Sequence, residues 1–203
     1  MLSLMFDGSF SVLGEATPDS YLNEFEATLL DDSTSGSATE DETVGYIRGY
    51  YINVQGAKAA GEDVYSVFDM EEDTEGFYPY LYNEFREVND LVTHLPESFN
   101  EDSNVLVITH VRVNPKLRGQ NIGLKMIQHV MREKGMGADV CVLRAHPLTT
   151  QCSEDADKDN QEEVDNAIIK LLTYYEDLFF REIVIGKGYM ITDISNGKVP
   201  EIV

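Results

Sequence analysis

The residues best equipped for chemistry are Arg118-Gly119-Gln120-Asn121-Ile122-Gly123, a loop with two glycines and a cation that joins a β-branched run to a helical one. Backbone N–H groups in the first turn of a helix have no internal acceptors and carry the positive end of the helix dipole, so such a junction suits an anionic phosphate. Arg118 and Lys116 add positive charge. The chemistry expected is the binding of a nucleotide cofactor.

The elements on either side must hold that loop. Val105 to Val113 is apolar and β-branched at nearly every position, which predicts an interior strand with Val105, Val107, Thr109, Val111 and Val113 on one face. Asn114-Pro115 removes a backbone donor and disfavours helix just before it, ending the strand. Ile122, Leu124, Ile127, Val130 and Met131 then follow helical spacing, with Gly135 where a C-terminal cap is expected.

These residues resemble the GNAT superfamily of acyl-CoA-dependent N-acyltransferases, whose signature [QR]-x-x-G-x-[GA] follows a strand and a V-x-P turn. Here it reads Arg118 to Gly123, preceded by Val111-Arg112-Val113-Asn114-Pro115, with Asn121 in place of the first glycine. Asparagine tolerates the left-handed backbone better than most residues. A second segment is similar too. Residues 162 to 181 carry Val164, Ala167, Ile168, Leu171, Leu172, Tyr175, Leu178 and Phe179 at helical spacing, and Tyr175 to Phe180 looks like the family's Y-x-x-x-G-F ending with Phe179 for glycine. Gly188 to Ile194 reads as a closing strand. The likeness spans roughly residues 104 to 194.

The resemblance implies a GNAT-like α/β domain: a mixed, mostly antiparallel central sheet flanked by helices and splayed at its central strands. It implies acyl-CoA, acetyl-CoA first, in the gap, with pantetheine paired to the backbone of Val111 and Val113. Arg112, Lys116, Arg118, Gly119, Gln120, Asn121, Ile122 and Gly123 complete the cofactor set. An amine acceptor would attack the thioester directly, and a backbone N–H near Val113 would stabilise the developing oxyanion. Tyr175 stands where the family often has the general acid that protonates the departing thiolate. It also lies on the apolar stripe, where a core tyrosine is equally expected. His110 stands where many relatives carry glutamate, and an imidazole suits taking a proton from an ammonium nucleophile. A lone histidine in an apolar strand has a structural reading as well. His146, after the strand predicted over Ala138 to Ala145, and chains of solvent water are the alternatives for the base.

Composition frames the rest. A length of 203 residues suits one domain, 1–203. The net charge of −22 is unevenly spread: residues 1–100 hold 3 basic and 21 acidic side chains, residues 101–150 hold 7 and 4, and residues 151–203 hold 5 and 12. Positive charge thus gathers in the cofactor segment, where a polyanion needs it, while the acidic half falls to the acceptor. Such acidity argues against nucleic-acid binding, which requires many Lys and Arg contacts to phosphate. It suits a cationic acceptor, a small molecule or a peptide, and it equally suits a solvated surface or adaptation to high salt. The alternative function is an acidic, non-catalytic scaffold of the same fold, or a mimic of DNA's charge.

Cys141 and Cys152 form no CxxC pair, so neither a disulfide framework nor a metal site is expected. MLSLMFDGSF lacks a basic signal-peptide region and no apolar run reaches the length of a membrane span, so a cytoplasmic protein with no membrane partner, a monomer or homodimer, is expected. Asp155, Asp157 and Asp159 imitate the start of an EF-hand, but Asn160 and Asn166 stand where glycine and glutamate are required, leaving an acidic insertion near 148–163. In the first hundred residues, Tyr21 to Leu30 alternates as a strand, Val44 to Val54 reads as a tyrosine-rich strand or hairpin around Arg48-Gly49, and helices are expected over 62–72 and 76–94. Strands before helices is not the family's usual order. Glu71, Glu72, Asp73 and the aromatic run Phe77, Tyr78, Tyr80, Tyr82 are candidates for an acceptor cleft.

Overall fold

The computed structural model describes residues 2–7, 17–31, 43–83, 87–89, 94–147 and 158–202. Seven strands form one sheet in the order β1-β2-β3-β4-β5-β7-β6. They are β1 (Leu2–Asp7), β2 (Leu22–Asp31), β3 (Thr43–Ile52), β4 (Val105–Val113), β5 (Val140–Arg144), β6 (Arg181–Glu182) and β7 (Tyr189–Asp193). Every neighbouring pair is antiparallel except β4 and β5, which run parallel at the centre. This is the mixed, mostly antiparallel layout that the resemblance implied, although β1 and the short β6 were not foreseen.

Each face of the sheet carries its own core. On one face α5 (Ile122–Glu133) and α6 (Lys158–Glu176) cover Ile47, Leu106, Ile108, Cys141 and Leu143. On the other, α1 (Val54–Ala60), α2 (Val64–Phe68), α3 (Glu72–Glu75) and α4 (Tyr78–Leu81) cover Tyr50, Ile52, Val105, Val107, Val140 and Val142. A parallel pair flanked on both faces must be apolar on both, which explains the unbroken run of β4. Each fully buried Val, Leu or Ile contributes roughly 1.5–3 kcal/mol.

The first half departs from expectation in its details. Four short helices replace the two long ones predicted over 62–72 and 76–94. Gly61, at φ 84°, ends α1, and Asp63 then caps α2 by accepting from the Tyr65 N–H at 3.2 Å. Pro79 sits in the first turn of α4, the position that suits proline. These helices do lie between β3 and β4, as the strands-first order required. Of the two readings of Val44 to Val54 the strand holds: β3 is continuous through Arg48-Gly49, and Gly49 is needed because a Cβ there would overlap the Val107 carbonyl oxygen and touch the Phe25 ring at 2.7 Å.

A larger correction concerns β4. Arg48 pairs with His110, but Gly49 pairs with Ile108, so Thr109 is an extra residue and β4 bulges there. The bulge reverses the facing of everything after it. Val105 and Val107 pack on the α1–α4 face, whereas Val111 and Val113 pack on the α5–α6 face. The five residues expected on one face are therefore divided between two. Helix α5 begins at Ile122 as predicted and ends at Glu133, with Lys134 rather than Gly135 at its C-cap. Helix α6 stops at Glu176, and the strands predicted over 138–145 and 188–194 are the shorter β5 and β7. The EF-hand-like aspartates 155 and 157, Cys152 and most of the acidic insertion lie outside the described residues.

Candidate functional site

The site begins where the parallel pair separates. β4 and β5 are paired only from Val105↔Val140 to Ile108↔Leu143. Beyond that point β4 stays with β3 as far as Val113↔Gly45, while β5 stays with β7 through Arg144↔Tyr189. Each strand follows its outer neighbour, and a gap opens between them. Because the Asn114 N–H donates to the Val44 carbonyl at 2.8 Å, antiparallel alternation turns the backbone groups of Val113 and Val111 away from β3 and toward the gap. The Arg118 Nε–H takes the Val113 carbonyl at 3.2 Å, tying the loop to the end of the strand.

The loop itself has the conformation that its glycine pattern demands. Gly119 lies at φ 77°, with open space where a Cβ would be, and Asn121 lies at φ 55° as the N-cap of α5. Asn121 thus adopts the left-handed backbone of the glycine it replaces. The N–H groups of Gly119, Gln120, Asn121 and Ile122 have no acceptor among the described residues. They form the partnerless donors of a helix start, beside the exposed Lys116 and Arg118. Arg112 is exposed on the face opposite Val111 and Val113.

Helix α6 brings two tyrosines to this region, and they differ. The Tyr174 hydroxyl accepts the Leu124 N–H at 3.2 Å and the Gly123 N–H as well, so it fills the two donors that follow the open ones. Gly123 leaves it room, since a Cβ there would come within 3.1 Å of the hydroxyl. Tyr175 is buried in the α5–α6 core against Phe180, and burial pushes its phenol up to about 12. Sequence reasoning passed over Tyr174, although adjacent helical positions point about 100° apart and only one of a tyrosine doublet can lie along a stripe. The second glycine replacement behaves like the first: Phe179 has φ 59°.

His110 occupies the other face of the sheet. Its Nδ1 lies 3.1 Å from Thr109 Oγ1 and 3.8 Å from Asp73 Oδ2, which the short helix α3 presents. Around it, Arg48 donates to Glu24 at 2.6 Å and to the Tyr50 hydroxyl at 2.7 Å. Of the aromatic run weighed for an acceptor cleft, Phe77, Tyr78 and Tyr82 are core residues, exposed by 3%, 8% and 2%. Only Tyr80 reaches outward, its ring tilted by 39° against Tyr189 at 4.4 Å between ring centres, and Arg144 lies over the Tyr189 ring at 5.1 Å. Glu71, Glu72 and Asp73 are exposed. His146, at the end of β5, is exposed and has Nδ1 3.0 Å from the Pro147 carbonyl. His110 and Tyr175 thus flank the parting strands from opposite faces.

A separate open concavity of about 820 Å³ lies at the other end of the sheet, lined among others by Phe179, Arg181, Ile191, Asp193 and Lys198. It shares no residue with the loop. Cys141 is wholly buried, and burial raises its thiol, as suits an inert core residue. No helix is long and apolar enough to cross a membrane, and no cluster of potential metal ligands occurs among the described residues.

No family model matches the chain, and no curated protein is significantly similar to it. Solved structures are similar over most of its length. Arabidopsis thaliana NAA60 in complex with acetyl-CoA matches with 13% identity and a TM-score of 0.43, covering 85% of this chain and 77% of that one. The same protein with a bisubstrate analogue matches at 11% and 0.41, with the same coverage. The KacTA–DNA complex matches at 10% and 0.43, covering 95% and 93%.

Proposed function

We propose that this protein is an acyl-CoA-dependent N-acyltransferase, using acetyl-CoA to acylate an amine. The observation that carries the proposal is the parting of β4 from β5 directly beside a helix start whose N–H groups lack acceptors. The gap offers the backbone of Val111 and the Val113 N–H, and the loop offers the N–H groups of residues 119–122 with Lys116 and Arg118. Those residues fit a long ligand with an anionic end. An acyl-CoA held there supplies an activated thioester.

In this reading His110 takes the proton of the amine on one face and the Tyr175 hydroxyl gives a proton to the departing thiolate from the other. A phenol near 12 stays protonated at any working pH but is a weak acid, so its contribution comes from placement rather than acidity. The exposed Glu71, Glu72 and Asp73 give the acceptor side a negative rim suited to a cationic substrate. A catalytically silent acidic scaffold is the second reading, favoured by the burial of Tyr175 and by Tyr174 filling the Gly123 and Leu124 donors.

Calorimetric titration with acetyl-CoA, followed by an amine screen that detects thiol release, tests the proposal. Micromolar binding that Arg118→Glu weakens at least about tenfold is expected, since one charge reversal at a phosphate exceeds about 1.4 kcal/mol. Tyr175→Phe should lower turnover and leave binding unchanged. Absence of binding by acetyl-CoA and longer acyl-CoAs would transfer the case to the silent scaffold.

A further inference from the structure

The bulge at Thr109 sets a hydroxyl and a carboxylate beside one ring nitrogen of His110. Thr109 is the extra residue of the β3–β4 ladder, and its hydroxyl donates to the Arg48 backbone carbonyl at 3.2 Å. A hydroxyl has one proton, and a carbonyl only accepts, so that proton is committed. The 3.1 Å contact between Thr109 Oγ1 and His110 Nδ1 must then run the other way, with the ring nitrogen as donor. Asp73 reinforces the choice. Its carboxylate stands 3.8 Å from the same nitrogen, too far for a hydrogen bond but close enough to favour the N–H end of the ring dipole. Nε2 has no partner among the described residues.

We infer that Thr109 and Asp73 are positioning residues that hold neutral His110 as its Nδ1–H tautomer, leaving the Nε2 lone pair as the proton-accepting atom. Free histidine prefers the opposite tautomer, so the protein must impose this one. The consequence for catalysis rests on the acyl-transfer reading; the tautomer does not. An amine that loses its proton at this site gives it to Nε2, which forms an imidazolium whose Nδ1–H already faces Thr109 and the Asp73 carboxylate. The extra residue of the bulge is what permits this, because it sets Thr109 and His110 together on the α1–α4 face.

The test is two-bond ¹H–¹⁵N correlation NMR of uniformly ¹⁵N-labelled protein at alkaline pH without ligand, with His110→Gln assigning the signal. Wild type should show a protonated Nδ1 and a pyridine-like Nε2. Thr109→Val combined with Asp73→Ala should move the ring to the Nε2–H form, and Thr109→Ser should keep the wild-type pattern. A wild-type ring in the Nε2–H form, or unchanged nitrogen shifts in the double variant with its fold intact by amide spectra, would overturn the inference. Amine-acylation assays on the same samples separate the two claims. Where activity exists, Thr109→Val should lower kcat by about tenfold with KM little changed and Thr109→Ser should restore it. A correct tautomer without any acylation would reject the acyl-transfer reading alone.

Discussion

Phe179 is exposed by 55% and held at φ 59°, so left-handed strain and the burial of nearly half its ring oppose each other. The strain costs an L-residue roughly 1–2 kcal/mol, and glycine's extra unfolded freedom returns roughly 0.5–1 of that. Phe179→Gly should therefore leave unfolding stability within about 1 kcal/mol of the wild type, since the lost ring contact offsets the relieved strain, measured by urea titration. Asp193 gives a prediction in pH. Burial pushes its carboxyl up, but hydrogen bonds from Ser195, the Lys198 charge and the Ser98 hydroxyl outweigh that and leave it below the usual value. A depressed folded pKa means stability that is present above the unfolded value and lost as pH falls through the folded one. Asp193→Ala should cost about 1 kcal/mol at neutral pH, as for a lost cap, and the difference should shrink as the solution is acidified below about pH 4. Paired urea curves at both pH values decide it, and a constant difference would show that charge is not involved.

The element that organises the site is β4, with its bulge and its early parting from β5. Gly49 is the counterpart of that bulge on β3, and an added methyl meets backbone rather than a side chain that could turn aside. Gly49→Ala should cost about 3 kcal/mol, the upper part of the overpacking range, and should also disturb His110 across the ladder. A fall in thermal midpoint together with shifted His110 resonances would be the signature. A stability loss below about 0.5 kcal/mol would mean that β3 and β4 slide apart freely there. The four short helices between β3 and β4 matter for a related reason: α3 alone delivers Asp73 to His110.

For the molecule as a whole, a net charge of −22 on 203 residues makes self-repulsion a term in stability. Repulsion between exposed charges is screened over about 10 Å at 0.1 M salt, so the thermal midpoint should rise between about 0.02 and about 0.5 M sodium chloride. Affinity for a polyanionic cofactor at Lys116 and Arg118 should fall over the same range, because those contacts are screened too. Scanning calorimetry and ligand titration at matched salt would read both. A midpoint that does not move would show that the acidic side chains are too widely spread to repel.

Local pattern alone determined the strand Val105–Val113, the turn at Asn114-Pro115, the start of α5 at Ile122 and the loop between them, because periodicity and backbone restrictions act within a few residues of chain. The resemblance to the acyltransferase signatures marked Asn121 and Phe179 as stand-ins for glycine, and both have the positive φ that glycine would have. The face on which His110 lies was beyond its reach, since one extra residue at Thr109 reverses the alternation and only the pairing with β3 shows it. The same holds for Tyr174 at the Leu124 N–H, for Asp73 beside His110, and for the burial of Phe77, Tyr78 and Tyr82. Each of these depends on contacts between segments far apart in sequence, and the energy of such contacts leaves no periodic trace in the chain that makes them.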